Sequence, residues 1–117
     1  MDKDRLRQVI YNLLSNSIKY LGDDGKVSIT LDKLDSGVKL SIADNGIGIA
    51  QEDLPFIFER FYRSDVSRNK ETGGTGLGLS ISKALIEAHQ GSISVDSVLG
   101  RGTKFIIILP TSGSNYQ

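Results

Sequence analysis

Two glycine-rich loops and a stripe of amide side chains carry the chemistry legible in this chain. Asp44-Asn45-Gly46-Ile47-Gly48-Ile49 follows a strand-like run, and Gly73-Gly74-Thr75-Gly76-Leu77-Gly78-Leu79 opens a helix-like run. A Gly-x-Gly step lets main-chain amides approach a ligand where a Cβ would block them. A helix N-terminus behind such a loop presents unpaired N–H groups and a partial positive charge, which suits phosphate. Two such loops framing one cleft predict a nucleotide held at both ends. Between Arg5 and Tyr20, the residues Asn12, Asn16, Lys19 and Tyr20 fall at i, i+4, i+7 and i+8, one stripe beside the apolar face. Asparagine is a poor helix former, so two in one stripe lower the helix propensity. Magnesium takes oxygen ligands, usually only one or two from protein and the rest from water and phosphate, and a neutral amide oxygen meets that need. Lys19 then neutralises phosphate and Tyr20 offers a ring to a base. The plain alternative is a solvated polar face.

Asp44 stands where a strand ends and the chain turns through glycines. A carboxylate there accepts a hydrogen bond from adenine's exocyclic amino group and repels guanine's carbonyl. The alternative is an aspartate opening an Asx turn. In Phe58-Glu59-Arg60-Phe61-Tyr62-Arg63 the phenylalanines read as core, and Arg63, at the edge of a polar loop, is placed to reach a terminal phosphate. Arg68 and Lys70 read as solvated loop charges. His89, at a helix end before Gly91, reads as a structural or exposed histidine.

The composition narrows the class. With 117 residues the chain is one domain with room for a real core. The 14 basic and 14 acidic residues cancel, so no nucleic-acid footprint or polybasic membrane patch is visible. No cysteine is present, which fits a reducing, cytoplasmic setting, and a single histidine leaves no His-rich zinc site. The segment from Met1 to Gln8 lacks the apolar core of a signal peptide, and no apolar run approaches the roughly 20 residues that span a bilayer.

Elements able to position these groups follow from periodicity. Leu6, Val9, Ile10, Leu13 and Leu14 mark an amphipathic helix over Arg5–Tyr20. Gly22 to Gly25 is a turn cluster. Val27-Ile29-Leu31 and Val38-Leu40-Ile42, joined by Asp35-Ser36-Gly37, predict an antiparallel hairpin with one buried face. Residues 51–62 predict a short helix. Residues 63–75 are polar and glycine-terminated, and predict a mobile loop. Leu77, Ile81, Ala84, Leu85 and Ala88 mark a second long helix stopped by Gly91. A last hairpin pairs Ser92–Asp96 with Lys104–Leu109 through Leu99-Gly100-Arg101-Gly102, and a polar tail, residues 111–117, is expected to be disordered. The order predicts an α/β sandwich of the α+β kind, with a mixed, mostly antiparallel sheet and three helices on one face.

Taken together, Asn12-Leu-Leu-Ser-Asn16-Ser-Ile-Lys19-Tyr20, Asp44-Asn-Gly46-Ile-Gly48-Ile49, Phe58-Glu-Arg-Phe61-Tyr-Arg63 and Gly74-Thr-Gly76-Leu-Gly78-Leu resemble the asparagine, first glycine, phenylalanine and second glycine boxes of bacterial sensor histidine kinases. The likeness runs from Arg5 to Pro110 and includes Gly102-Thr103-Lys104-Phe105. It implies the Bergerat ATP-binding fold, a catalytic domain over residues 1–110 with a lid at about 62–75, and ATP and Mg2+ as ligands. It also implies that Asn16 ligates magnesium with Asn12 beside it, that Lys19 meets phosphate and that Tyr20 packs on adenine. Asp44 would hold the adenine amino group with Thr103 nearby through water, and Gly46, Gly48 and Ile49 would shape that pocket. Arg63 and the amides of Gly74, Thr75, Gly76, Leu77, Gly78 and Leu79 would meet the phosphates. The implied activity is presentation of the γ-phosphoryl group to a histidine on a separate dimerisation and phosphoacceptor domain, with a response regulator further on and a parent kinase anchored in the bacterial membrane. A serine-kinase anti-sigma factor and a nucleotide-binding module without turnover share the fold. Ser17 stands where alanine is usual and Leu21 where threonine or serine is frequent. The strand that normally precedes the first helix is missing, which predicts an exposed sheet edge. The phosphoacceptor histidine motif is absent, and His89-Gln90-Gly91 does not resemble it.

Overall fold

The first helix forms because its apolar residues return every three to four positions and Asp4 complements the positive end of its dipole. In the computed structural model, which describes residues 2–19, 21–22, 24–59 and 78–110, this helix, α1, spans Lys3–Lys19. Val9 and Leu13 are fully buried, and Leu6, Ile10 and Leu14 pack against them from the flanks. Four strands follow in two hairpins, β1 (Val27–Leu34) with β2 (Gly37–Asp44) and β3 (Ser92–Val98) with β4 (Gly102–Pro110). Between the hairpins lie a single 3-10 turn at Leu54–Phe56 and a second helix, α2, at Gly78–Ala88. The strands are ordered β1-β2-β4-β3, and every pairing is antiparallel. The sheet is therefore antiparallel throughout its described strands rather than mixed.

The register stacks the core in rows across the sheet. Ile42 pairs with Phe105, which pairs with Val95; Leu40 pairs with Ile107, which pairs with Ile93. Ile42, Phe105 and Ile107 are completely buried under α1 and α2, where Ile86 of α2 joins them. Each such side chain contributes roughly 1.5–3 kcal/mol through burial.

Four further expectations need correction. The first hairpin does not have one buried face. Ile29 and Leu31 are on the helix-facing side, opposite Ile42 and Leu40, yet are 53% and 68% exposed. β1 is the outer strand: α1 reaches it and Val27 packs against the core, but Ile29 and Leu31, further along the strand, stay uncovered. Second, within the described part of residues 51–62 only the 3-10 turn forms. Pro55 sits in its first turn and cannot donate a main-chain hydrogen bond. Phe56 remains 44% exposed, while Phe58 stacks edge-on against Phe105 at 6.3 Å. Third, Gly91 does not end α2 by adopting a left-handed conformation. Gln90 does so, at φ 67°, while Gly91 N–H and Gln90 N–H close on the carbonyls of Ile86 and Glu87, the Schellman pattern. Gly91 is glycine for room: a Cβ there would stand 2.6 Å from the Ile108 carbonyl oxygen. Fourth, the second hairpin is longer than expected, and its strands run on to Val98 and from Gly102.

Ser17 is 2% exposed, and its Oγ has no hydrogen-bond partner among the described residues. A buried hydroxyl left unmade costs about 1–3 kcal/mol, and serine is a weaker helix former than alanine by a few tenths. Ser17→Ala is therefore expected to stabilise the chain by about 1 kcal/mol, a rise of several degrees in Tm for a domain of this size. A thermal melt followed by circular dichroism checks this; an unchanged or lowered Tm means that Oγ is satisfied in solution.

Candidate functional site

At one end of the sheet the apolar rows give way to a polar one. Asp44 of β2 pairs with Thr103 of β4, which pairs with Ser97 of β3, and all three share the helix-facing side with the core. Thr103 and Ser97 are 8% and 4% exposed, and Asp44 is half-buried. The first glycine loop leaves from this row. Asp44 Oδ1 accepts a hydrogen bond from Gly46 N–H at 2.9 Å, so the Asx turn is real. It occupies one carboxylate oxygen and leaves the lone pairs of the other for a ligand. The turn and binding readings of Asp44 are therefore compatible. Asn45 ties the same corner to the segment before β1: its Oδ1 accepts from Lys26 N–H at 2.7 Å.

The β3–β4 hairpin clamps the loop from the other side. Gly100 N–H donates to the Ile47 carbonyl at 2.6 Å, Ile49 N–H to Ser97 Oγ at 2.8 Å, and Gln51 Nε2 to the Ser97 carbonyl at 3.0 Å. Two glycines make the approach possible. Gly48 has φ +75° and would place a Cβ 2.2 Å from the Val98 carbonyl oxygen; Gly102 has φ +129° and would place one 2.0 Å from the Asp44 carbonyl oxygen. Both positions are closed to any side chain by backbone rather than by movable atoms. The hairpin backbone thus fixes the course of the loop.

On the helical layer, Asn12 and Asn16 are half-buried. Asn12 Nδ2 donates to Ser82 Oγ of α2 at 3.3 Å, a link between the two helices that leaves the amide oxygen as an acceptor. The second glycine loop does lead into a helix, since α2 begins at Gly78 and Leu79 packs against the core. That places the positive end of the α2 dipole at the last glycine of the motif. The structure thus brings together Asp44, Gly46, Gly48, Ile49 and Thr103 at one corner and ties Asn12 to α2. Tyr20, Arg63, Gly74, Thr75, Gly76, Leu77, the expected lid and the tail lie outside the described residues, as does the side chain of Lys19. His89 Nδ1–H donates to the Leu85 carbonyl at 2.7 Å, the structural role expected of it. Ser97 and Gln51 were not legible as site residues. One signal existed for Ser97: it continues the inward parity of Ile93 and Val95 but is polar.

Residues 1–113 match the histidine kinase-, DNA gyrase B- and HSP90-like ATPase family, to which the chain belongs. Within that family its relatives are sensor histidine kinases. The sensor protein SrrB of Staphylococcus aureus is 49% identical over 109 residues, covering 93% of this chain and 19% of SrrB. The mycobacterial sensor histidine kinase MprB superposes with a TM-score of 0.83 at 34% identity, over 94% of this chain and 74% of that one. Full-length ShkA in complex with AMPPNP superposes with a TM-score of 0.78 at 36% identity, over 91% of this chain and 21% of ShkA. The chain spans about a fifth of the length of the curated relatives it matches.

Proposed function

We propose that this chain binds Mg-ATP between the polar row and the helical layer and presents the γ-phosphoryl group to a histidine on a separate dimerisation and phosphoacceptor domain. The observation that carries this reading is the row Asp44–Thr103–Ser97, a set of hydrogen-bonding groups on the helix-facing side of β2, β4 and β3, which is otherwise apolar there. Buried polar groups persist where they are satisfied, and an acceptor such as the second oxygen of Asp44 fits an exocyclic amino group. The AMPPNP in the ShkA complex, an ATP analogue, supports the same ligand class.

In this reading Asp44 receives the adenine amino group, Thr103 assists, and Gly46, Gly48 and Ile49 form the pocket wall. Asn16, with Asn12 beside it, would hold Mg2+. Among the described residues no group of three or more His, Cys, Asp and Glu side chains could hold a metal ion, so amide, water and phosphate oxygens suit the donor set. The metal would supply charge neutralisation along the phosphates. Lys19, Tyr20, Arg63 and the amides of Gly74 to Leu79 complete the proposed contacts. Transfer is in-line: the acceptor nitrogen bonds to the γ-phosphorus as the bond to the ADP oxygen breaks. This chemistry depends chiefly on positioning and electrostatics. The parent would be a membrane-anchored kinase serving a response regulator, with this domain in the cytoplasm and away from membrane and nucleic acid; no helix among the described residues is long and apolar enough to cross a membrane.

Calorimetric titration tests the binding. Mg-ATP and Mg-ADP are expected to bind at micromolar to millimolar strength, and Asn16→Asp, which keeps an oxygen but adds charge beside the phosphates, is expected to change the magnesium dependence. Identical magnesium titrations for both proteins would remove Asn16 from the metal, and no nucleotide binding by folded protein would remove the proposal. Adding a separate phosphoacceptor domain should then yield phosphohistidine; phosphoserine on an acceptor protein of the serine-kinase type would assign the chain to the serine-kinase anti-sigma factors instead.

A further inference from the structure

Ser97 Oγ makes three hydrogen bonds within the buried row: with Ile49 N at 2.8 Å, the Gly102 carbonyl oxygen at 2.8 Å and Thr103 Oγ1 at 2.9 Å. A serine hydroxyl has one proton and two lone pairs. The Gly102 carbonyl can only accept, so it takes the proton. The Ile49 amide can only donate, so it takes one lone pair. In the remaining contact Ser97 must accept, and the hydroxyl proton of Thr103 therefore points at Ser97. Thr103 Oγ1 keeps its lone pairs for its other neighbours, and the next side chain along the row is the acceptor Asp44.

We infer that Ser97 is a positioning residue that sets the hydrogen-bond polarity of the base pocket, so that the pocket selects 6-amino over 6-oxo purines through Thr103. The inference rests on the adenine-nucleotide reading of the site. An amino group brings two N–H donors to two acceptors. A 6-oxo group brings lone pairs against lone pairs, and a freely rotating threonine hydroxyl would relieve that mismatch by turning its proton inward. Ser97 holds that proton elsewhere. Because the same oxygen also receives Ile49 N–H, the polarity of the pocket and the position of the glycine loop are set by one atom.

The test compares binding of ATP and inosine triphosphate, which carries a 6-oxo group in place of the amino group, to the 117-residue chain. The unsubstituted chain is expected to prefer ATP. Ser97→Ala should narrow that preference by about tenfold, mainly through tighter inosine triphosphate binding as the freed Thr103 hydroxyl turns its proton toward the 6-oxo group. Thr103→Val should narrow it similarly, and adding Ser97→Ala to Thr103→Val should change it no further, the signature of a residue acting through its neighbour. Equal weakening of both nucleotides by Ser97→Ala, or further narrowing in the double variant, would overturn the inference while leaving the proposed function standing. No binding of either nucleotide by the unsubstituted chain would remove the nucleotide reading, and this inference with it. If Ser97→Ala melts below the assay temperature, Ser97→Cys, close in volume but a weak donor and acceptor, decides: a narrowed preference supports the role of Ser97 and a full one overturns it.

Discussion

Gly102→Ala is expected to destabilise the chain by about 4 kcal/mol, a large share of the roughly 5–15 kcal/mol that holds a typical domain together. Two independent costs add at this residue. Its φ of +129° lies where L-residues rarely go, which costs roughly 1–3 kcal/mol. Its Cβ would also stand 2.0 Å from the Asp44 carbonyl oxygen, and only a backbone shift could relieve that contact, at roughly 1–3 kcal/mol more. Gly100 supplies the control. It too has positive φ, +86°, but nothing lies within 4 Å of where its Cβ would stand, so Gly100→Ala should carry the conformational cost alone. Denaturant titrations of the two variants separate the terms. Equal midpoints would mean that β2 and β4 do not approach this closely at Asp44 and Gly102, and the polar row would lose its geometry.

Asp44→Asn is expected to weaken ATP binding by roughly 5–150-fold, corresponding to a buried donor facing a donor at about 1–3 kcal/mol. The fold should survive, for a specific reason. The structural duty of Asp44 is to accept Gly46 N–H at 2.9 Å through one oxygen, and asparagine retains an oxygen for that bond. What asparagine cannot retain is the second acceptor, which it replaces with an NH2. Titration of ATP into the variant, with a thermal melt alongside, reads both duties. Unchanged affinity at an unchanged Tm would leave Asp44 as a turn residue only. A matched fall in Tm and affinity would show that the turn and the pocket cannot be separated.

The elements and much of the site were legible from the chain itself. The spacing of Leu6, Val9, Ile10 and Leu13 makes α1 whatever it packs against, and Asp35-Ser36 between alternating runs makes a hairpin, because such information lies within a few residues. The Asx turn of Asp44 and the structural place of His89 are local in the same sense. The glycines of the first box signalled a close backbone approach, which at Gly48 is to the Val98 carbonyl of the neighbouring hairpin.

Other features were decided only by tertiary structure. No local signal says that β2 pairs with β4, some sixty residues away, and that pairing sets Thr103 beside Asp44. The same long-range organisation accounts for the departures from expectation. Ile29 and Leu31 alternate as a buried strand would, but the strand order puts β1 at the edge, where only Val27 packs against the core. Gly91 reads as a helix stop, but the nearness of β4 is what demands glycine there, and the left-handed turn falls to Gln90. Ser97 reads as one polar residue in a strand until the register sets it between Thr103 and the loop at Ile49. Periodicity and turn chemistry act over a few residues; strand order and register are set by how the whole apolar face is covered, and a single serine acquires its role only once that is done.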